Sequence, residues 1–400
     1  MAIERFDVLV VGARCAGSAT AMLLARSGLK VLVLDRDEIP SDRLMSTHML
    51  WHQGVARLKN WGLLENLQAT NIEPMRRIRF NNGEIDIIGE APRVDDPVAY
   101  APRRYALDGV LADAATAAGA ELRDQCDVTE LLSEGDRING VRYTNNGQEH
   151  SIQARFVIGA DGAGSKVARL TQAQTLMEHD NVQGTLWSYF EDLPVNDLEF
   201  FAREGSLSFA WRTNDHQTCF GTSFRYENFA EVNQAREESV FQELDKQVPE
   251  LAERVRAANR TCEWHAGTTK GFARKAFGPG WALVGDAGIT IDPITAAGIS
   301  NALRDAEHLA DALIKCFVQE QDEQDALTEY EALRDEHTLP MYGFAQQMGM
   351  LNPSTEEERQ LFLAISRNQQ AIDDYFGVFA QSVPIGEFFA DENLSAIVSE

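Results

Sequence analysis

The hydrophobic positions near the start of the chain predict a strand, a helix and a second strand in close succession. Residues 6–11 form a continuous apolar run, which is typical of a parallel strand buried on both faces. Over residues 16–27, small and apolar side chains recur at the spacing of a helix with one buried side, and Gly28 can close that helix. A second apolar run, residues 31–34, ends in Asp35. These patterns together indicate a βαβ unit.

Two later segments repeat the order of an apolar strand followed by a helix. The first covers residues 156–169 and the second covers residues 281–312. Asparagine-glycine pairs at residues 82–83 and 146–147 stand between alternating apolar positions, and they predict two hairpin turns. The chain therefore mixes strand-helix units with antiparallel strands.

The middle and the end of the chain have different textures. Residues 182–226 carry short, aromatic-rich strands, and residues 235–258 are predicted to form a charged helix. From about residue 322 the pattern is mostly helical. We therefore expect an α/β fold in which a β-rich segment is inserted between strand-helix units and helices follow.

The first βαβ unit has the features of a dinucleotide-binding site. Gly12 allows the tight turn, Gly17 lets the helix lie close to the strand, and the helix N-terminus offers free amides to a pyrophosphate. Asp35 can accept hydrogen bonds from a ribose, and it would repel a 2′-phosphate, which favours FAD or NAD over NADP despite the neighbouring Arg36. The usual middle glycine is replaced by Arg14, so the motif is incomplete.

Composition excludes several other classes of protein. The net charge of −26 argues against nucleic acid or an anionic membrane as a partner. The five cysteines are an odd number scattered through a long chain, which indicates reduced thiols and a cytoplasmic location. No apolar run approaches the roughly 18 residues that a membrane-spanning helix needs. No residue cluster indicates a metal site.

Two more aspartates follow predicted buried strands. Asp161 stands in the sequence GADG and Asp286 in GDAG. A carboxylate at such a position is costly unless hydroxyls or amides meet it, and a ribose or ribityl chain would supply them. The alternative is that each acid only caps a turn or a helix.

These motifs together resemble those of FAD-dependent monooxygenases of the para-hydroxybenzoate hydroxylase type, within the glutathione-reductase-like flavoproteins. The resemblance spans about residues 5–340, and its parts are Gly12 to Asp35, Arg104 to Leu111, Gly159 to Arg169, and Gly285 to Ile299. It implies FAD as cofactor. The residues that it places at FAD are Gly12, Ala13, Arg14, Cys15, Ala16, Gly17, Asp35, Arg36, Arg43, Arg104, Val128, Asp161, Gly285, Asp286, Pro293, Gly298 and Ile299.

The resemblance also implies an α/β fold with a Rossmann-type FAD-binding domain, an inserted antiparallel β-rich substrate domain and C-terminal helices. The predicted FAD-binding domain is discontinuous and covers residues 1–75, 101–172 and 272–335. The predicted substrate domain covers residues 76–100 and 173–271, and the C-terminal helical region covers 336–400.

The activity implied is that of an oxygenase that activates dioxygen at reduced flavin and hydroxylates or epoxidises its substrate. The substrate would be a small aromatic or ring-containing compound, CoA thioesters included, of bacterial secondary or catabolic metabolism. There is no second glycine-rich unit for NAD(P)H, so the electron donor is NADH, NADPH, a separate flavin reductase or the substrate itself. The chain would be a monomer or a homodimer. The alternatives are a C=C reductase or dehydrogenase of the geranylgeranyl-reductase type and, less favoured, a flavin halogenase, whose paired-tryptophan motif is not matched, or a non-catalytic binding module.

Candidate catalytic residues are His48, on a loop that in related flavoproteins passes beside the flavin ring, and Pro293. An imidazole near the ring could orient a substrate or transfer a proton near neutral pH. The aromatic residues of the β-rich segment that could line a substrate pocket with His48 are Trp187, Phe209, Trp211 and Phe220, although strand aromatics are more often plain core.

Overall fold

A computed structural model describes residues 4–42 and 46–399. Arg43, predicted at the cofactor site, lies outside the described residues. The strands are β1 (Glu4–Val11), β2 (Val31–Leu34), β3 (Ile78–Asn81), β4 (Asp86–Gly89), β5 (Glu121–Arg123), β6 (Cys126–Glu134), β7 (Arg137–Asn145), β8 (Gln148–Gly159), β9 (Thr175–His179), β10 (Gln183–Glu191), β11 (Leu198–Arg203), β12 (Ser206–Arg212), β13 (Thr218–Arg225), β14 (Asn259–Arg260), β15 (His265–Thr268), β16 (Gly271–Arg274), β17 (Phe277–Gly278), β18 (Trp281–Leu283) and β19 (Ile289–Thr290).

The α-helices are α1 (Cys15–Arg26), α2 (His52–Asn60), α3 (Leu64–Gln68), α4 (Arg104–Ala117), α5 (Lys166–Leu170), α6 (Tyr226–Val232), α7 (Arg236–Gln247), α8 (Pro249–Ala257), α9 (Gly298–Phe317), α10 (Glu323–Gly349), α11 (Glu356–Ile365), α12 (Gln369–Ala380), α13 (Ile385–Phe388) and α14 (Asp391–Ser399). Short 3₁₀ helices cover Asn214–His216, Gly285–Ala287 and Pro293–Thr295.

The first sheet has a parallel centre in the order β18-β8-β1-β2-β5, and β17 adds an antiparallel edge. β2 is wholly buried, and β1 is mostly buried from Phe6 onward, because both faces of this sheet are covered. On one face α1 packs between α4 and α9. The predicted βαβ unit is confirmed, and the carboxyl ends of β1, β8 and β18 meet at one edge of the sheet.

The second sheet is mainly antiparallel, in the order β14-β10-β13-β12-β11-β3-β4, with β15 also paired to β10. Its strands come from residues 78–89 and 183–268, which are far apart along the chain. Leu186, Phe190 and Phe220 belong to a core on one face of this sheet, whereas Trp187 and Tyr189 belong to a core on the other face. This alternation is the period of two that a strand imposes.

The C-terminal helices cover the face of the second sheet that carries Trp187. Tyr342 of α10, Tyr375 of α12 and Phe388 of α13 share one hydrophobic core with Trp187 and Trp211. The helical ending predicted from the sequence is confirmed. A third sheet of three strands, β19-β16-β9, lies beside the turn that leads to α9.

Both predicted hairpins form, as the antiparallel pairs β3-β4 and β7-β8. The single helix predicted over residues 235–258 is wrong, because α7 ends at Gln247 and α8 begins at Pro249. Proline lacks the amide donor that would continue a helix, and it is well tolerated at a first helical position. The α/β fold class is confirmed; the predicted domain boundaries stay a prediction.

Candidate functional site

A long cleft runs along the carboxyl ends of β1, β8 and β18. Its volume is about 520 Å³. Among the predicted cofactor residues, those lining the cleft are Gly12, Arg14, Cys15, Ala16, Asp35, Arg36, Arg104, Val128, Asp161, Asp286, Gly298 and Ile299. Asp35 follows β2, Asp161 follows β8 and Asp286 follows β18, and all three line this cleft. They lie together because the carboxyl ends of parallel strands meet at one edge of the sheet.

The glycines of the first turn are fixed by close contacts. Gly12 has φ +106°, and a Cβ atom there would lie 2.4 Å from the Ala160 carbonyl oxygen. A Cβ atom on Gly17 would lie 1.8 Å from the Gly12 carbonyl oxygen. Both positions therefore need glycine, and the backbone of Ala13 follows the turn with its N–H donating to Asp35 Oδ2 at 2.7 Å.

Arg14 does not leave the turn open as a glycine would. Its guanidinium donates to Asp37 at 3.1 Å and to Ser41 at 2.9 Å, and it also reaches Asp108 at 3.4 Å. These bonds direct the cation toward α4 and the loop after β2. The Arg14 side chain thus forms part of the cleft wall, and it leaves the backbone amides at the start of α1 accessible to a ligand.

Asp108 is the point on which three predicted site residues converge. Arg104 donates to its Oδ1 at 3.0 Å, and the Cys15 thiol lies 3.2 Å from the same oxygen. Asp108 is fully buried, and its two arginine neighbours compensate its charge. Burial raises the pKa of Cys15 far above its ordinary value, so Cys15 is a thiol packed at the turn.

The three strand-end aspartates have different partners. Asp35 accepts hydrogen bonds from the Ala13 and Asp37 amides. Asp161 accepts from the Ser165 hydroxyl at 2.5 Å and from the Lys166 amide at 2.6 Å, so it caps α5 while it lines the cleft. The sequence left two interpretations of Asp161 open, a helix cap and a residue of the ligand site. The structure shows Asp161 both bonded to the start of α5 and lining the cleft.

Asp286 stands at the inner end of the long cleft. Its side chain is exposed to the open cleft, but it lies deep below the molecular surface, where reduced solvation raises its pKa to about 6. The Arg104 cation opposes that rise and Asp305 adds to it. Gly285, with φ +59°, turns the backbone before Asp286. A hydroxyl-bearing ligand would stabilise the ionised form by donating to it.

Two helices present N-termini to the cleft without a side-chain cap. The N-cap residues are Arg14 for α1 and Ala297 for α9, and no capping side-chain bond forms at either. Gly298 and Ile299 open α9, where the first amides are unused by the helix itself. Free amides and the helix dipole favour negative charge at both places.

A central cavity of about 180 Å³ continues from the inner end of the long cleft. The lining residues common to both are Arg104, Asp286, Gly298, Ile299 and Ala302. The two predicted catalytic residues, His48 and Pro293, line the central cavity together with Gly285. They are therefore brought together as expected.

His48 is 1% exposed and has φ 70°, an uncommon conformation for this residue. Its Nε2 atom shares a hydrogen bond with the Tyr189 hydroxyl. Burial lowers the pKa of His48 well below its ordinary value, and the Arg103 and Arg104 cations lower it further. The imidazole is therefore neutral near pH 7.

A third, aromatic cavity of about 80 Å³ adjoins the central one. The residues that line both are Ser46, Thr47, Thr269, Pro293 and Ala296. Its aromatic lining residues are Trp187, Phe200, Phe209 and Trp211. The indole N–H of Trp187 is buried and has no partner among the described residues, which leaves a donor for a ligand.

Phe220 does not reach the aromatic cavity, unlike the other predicted substrate residues. It packs against Phe190 and Trp264 on the opposite face of the second sheet. Phe200, Tyr189 and Asp108 were not predicted. Asp108 could have been found from its spacing, because it lies four residues after Arg104 on one helix.

The residues at the cleft fit FAD. Gly12 and Gly17 leave room for close approach, two uncapped helix N-termini suit a pyrophosphate and a flavin carbonyl edge, and Asp286 offers an acceptor between them. Among the described residues no group of histidine, cysteine and acidic side chains could hold a metal ion. No helix in that part of the chain is long and apolar enough to cross a membrane.

Comparison with known proteins identifies the family. The FAD binding domain family matches residues 5–343, and the chain belongs to this family. Digeranylgeranylglycerophospholipid reductase 2 of Methanococcoides burtonii is 26% identical over 356 residues, covering 82% of this chain and 80% of that protein. Tryptophan 2-halogenase of Chondromyces crocatus is 24% identical over 336 residues, covering 81% of this chain and 63% of the halogenase.

Solved structures share the fold along the chain. A flavoprotein/dehydrogenase from Cytophaga hutchinsonii superposes with a TM-score of 0.84 at 20% identity, over 99% of this chain and 98% of that one. p-Nitrophenol 4-monooxygenase PnpA from Pseudomonas putida DLL-E4 has a TM-score of 0.79 at 17% identity, over 96% of this chain and 100% of that one. The protein is an FAD-dependent oxidoreductase, and its resemblance to the para-hydroxybenzoate hydroxylase type of flavoprotein is confirmed.

Proposed function

We propose that the protein is an FAD-dependent oxygenase that hydroxylates or epoxidises a small aromatic or ring-containing substrate. The observation that carries this proposal is the aromatic cavity, which shares Pro293 with the central cavity that His48 lines. A compact pocket walled by indole and phenyl rings suits a flat ring better than a long isoprenoid chain.

FAD bound in the long cleft would accept electrons and, once reduced, react with dioxygen. The residues of the chain have three separate tasks there. The first amides of α9, at Gly298 and Ile299, stabilise negative charge at the end of the central cavity. Trp187, Trp211 and Pro293 keep water out of the reacting volume. His48 orients the substrate.

The residues proposed for FAD binding are those that line the long cleft, with Ala13 and Gly17 shaping its turn. His48, Trp187, Phe209 and Trp211 are proposed for the substrate. The electron donor is NADH, NADPH, a separate flavin reductase or the substrate, and a CoA thioester is included among the possible substrates. We further propose that residues 76–100 and 173–271 act as the substrate domain.

A second candidate function is reduction of C=C bonds. The observation in its favour is the identity to digeranylgeranylglycerophospholipid reductase 2 over 356 residues. That function would use the same cofactor residues but would need space for a chain, and it would transfer hydride in place of oxygen.

The experiment that separates the two supplies the protein, its electron donor and labelled dioxygen (¹⁸O₂) with candidate phenols, ring carboxylic acids and CoA-linked acids. An oxygenase places one ¹⁸O atom in the product, detected by mass spectrometry. A product that gains two hydrogens and no label, formed equally well without oxygen, would replace the oxygenase proposal with the reductase one.

A further inference from the structure

Four side chains in contact lead from the central cavity to the surface, in the order His48, Tyr189, Arg103 and Asp42. The His48 Nε2 atom meets the Tyr189 hydroxyl. The Arg103 guanidinium lies 4.0 Å from the centre of the Tyr189 ring, and Arg103 in turn pairs with Asp42. Tyr189 is 1% exposed and lies outside the lining of the central cavity, so it supports His48 from behind.

The acceptors near Tyr189 determine which nitrogen of the His48 imidazole carries the proton. A neutral imidazole has one N–H, so a Tyr189 hydroxyl that donates to Nε2 requires the proton on Nδ1. Among the described residues, the other acceptor near that hydroxyl is the Ser46 carbonyl oxygen at 3.5 Å, at the limit of a hydrogen bond. Nε2 is therefore the better-placed acceptor for the Tyr189 proton.

We propose that Tyr189 is a positioning residue that fixes His48 as its Nδ1–H tautomer, so that His48 offers a hydrogen-bond donor to an oxygen of the substrate. Nδ1 is the ring nitrogen left over, and it has no partner among the described residues. This inference rests on the proposed function for the role of His48.

The inference narrows the substrate class. His48 Nδ1–H and the unpartnered Trp187 Nε1–H are two donors at adjoining cavities. A substrate must therefore carry hydrogen-bond-accepting oxygens, such as a phenolate or a ring carbonyl, because buried donors without acceptors are costly. A plain hydrocarbon ring would leave both donors unpaired.

Arg103 is held in place independently of His48. Its backbone N–H donates to Asn214 Oδ1 at 2.8 Å, and its guanidinium lies 3.4 Å from Gln217 Oε1. It is the N-cap residue of α4, and the next residue, Arg104, lines the central cavity. One helix start thus serves both the cavity and the support behind His48.

The tautomer can be measured without turnover. Long-range ¹H–¹⁵N correlation spectra of ¹⁵N-histidine-labelled holoenzyme at pH 7 distinguish a protonated Nδ1 from a protonated Nε2, and His48→Ala assigns the signal among the eight histidines. We expect Nδ1 to be protonated in the wild-type protein. A proton on Nε2 would overturn the inference, and this result does not depend on how any variant folds.

Tyr189→Phe removes only the hydroxyl and should change the His48 signal to a mixture of tautomers. Tyr330→Phe is the matched control, because Tyr330 is equally buried and donates one hydrogen bond, to the Leu283 carbonyl oxygen at 2.7 Å. The control should leave the His48 signal unchanged. An unchanged signal in Tyr189→Phe would also overturn the inference.

A double-mutant cycle tests whether Tyr189 acts through His48. We expect Tyr189→Phe to lower product formed per dioxygen consumed by about tenfold, and His48→Ala to lower it by about 100-fold. The double variant should match His48→Ala. Independent, multiplying losses would contradict the positioning role. If the tautomer is found but His48→Ala keeps full product yield, the proposed role of His48 fails while the tautomer assignment stands.

Discussion

Two aspartates near the central cavity are held in surroundings that favour their protonated forms. Asp286 lines the long cleft and the central cavity, and Asp292 is completely buried just before Pro293. Burial raises the pKa of each to about 6. A bound ligand would stabilise ionised Asp286, whereas Asp292 accepts hydrogen bonds from Gln183 and from its own loop at Ile294, so we expect the two residues to respond differently to substitution.

Asp286→Ala should yield a folded protein that has lost most of its FAD. The carboxylate is the acceptor at the junction of the two cavities, and the resemblance assigns it to the ribityl portion of the cofactor. The measurement is flavin absorbance per chain after purification, with circular dichroism as the check on folding. Asp136→Ala, at an exposed turn, is the control. Full FAD occupancy in Asp286→Ala would remove the assignment.

Asp292→Asn should reduce the dependence of stability on pH. One Asp292 oxygen accepts from Gln183 Nε2 and from the Ile294 amide, and the other has no partner among the described residues. Because burial raises the folded-state pKa from 3.8 to about 6, its contribution to the free energy of unfolding is complete below about pH 4. That contribution is lost as the pH rises through about 6, and it amounts to about 3 kcal/mol.

Urea denaturation of the apoprotein at pH 4 and pH 7 measures this effect. The wild-type protein should lose about 3 kcal/mol more than Asp292→Asn between these two pH values. The exposed-site variant Asp136→Asn should follow the wild type. Equal losses in Asp292→Asn and wild type would mean that the ionised Asp292 is stabilised by its surroundings.

Residues with a backbone task could be predicted from the sequence, whereas those with a side-chain partner far along the chain could not. Gly12 and Gly17 are fixed by local geometry at a turn, so spacing reveals them. Tyr189 pairs with a residue 141 positions away, and an aromatic residue in a strand looks like ordinary core. Phe220 was wrongly placed for the same reason.

At the scale of elements, the start of α4 organises the charged part of the site. Arg103 lies on the Tyr189 ring, Arg104 lines two cavities, and Asp108, one turn later, binds Arg104 and Arg14. The sequence indicated that this helix and its arginine belong to the site. It could not indicate that the Arg14 guanidinium is held by Ser41, Asp37 and Asp108, which lie 27, 23 and 94 positions further along the chain.

Asp108→Ala should destabilise the apoprotein by about 3 kcal/mol, because it leaves two largely buried guanidinium groups without a shared carboxylate. FAD affinity should fall as well, since Arg104 would lose its anchor. Asp113→Ala on the exposed side of the same helix is the control, with a change within about 0.5 kcal/mol. Chemical denaturation and FAD titration measure the two effects, and a change in Asp108→Ala no larger than the control's would contradict the proposed anchor.

The broken helix at residues 236–257 marks the limit of pattern reading for elements. Apolar residues keep a helical period through both α7 and α8, so the period alone predicts one helix. α7 ends at Gln247, and Pro249 is the first residue of α8. Proline was the available signal, and its stereochemistry decides the boundary.

At the scale of the whole molecule, the second sheet separates two kinds of core. One face carries Trp187 and Tyr189, meets the cavities and is covered by the C-terminal helices, whereas the other face packs Phe220 against α7 and α8. The alternation along β10 places Trp187 at the aromatic cavity and the neighbouring Leu186 in the core on the other face. The sequence predicted the strands, but only the packing of distant helices shows which face of the sheet borders the cavities.

Trp187→Phe should therefore mainly lower ligand affinity, whereas Phe220→Ala should mainly lower stability. Trp187→Phe keeps a ring at the aromatic cavity but removes its unpartnered N–H, so the affinity for an oxygen-bearing ligand should fall by about tenfold, with a loss of stability of only about 1 kcal/mol. Phe220→Ala should lower the free energy of unfolding by about 3–5 kcal/mol and leave affinity unchanged, because the side chain is fully buried against Phe190 and Trp264. Affinity is measured by titrating the holoenzyme with the phenol that perturbs the wild-type flavin spectrum most, and stability by urea denaturation. If Phe220→Ala weakens binding and Trp187→Phe leaves it unchanged, the substrate lies on the other face of the sheet.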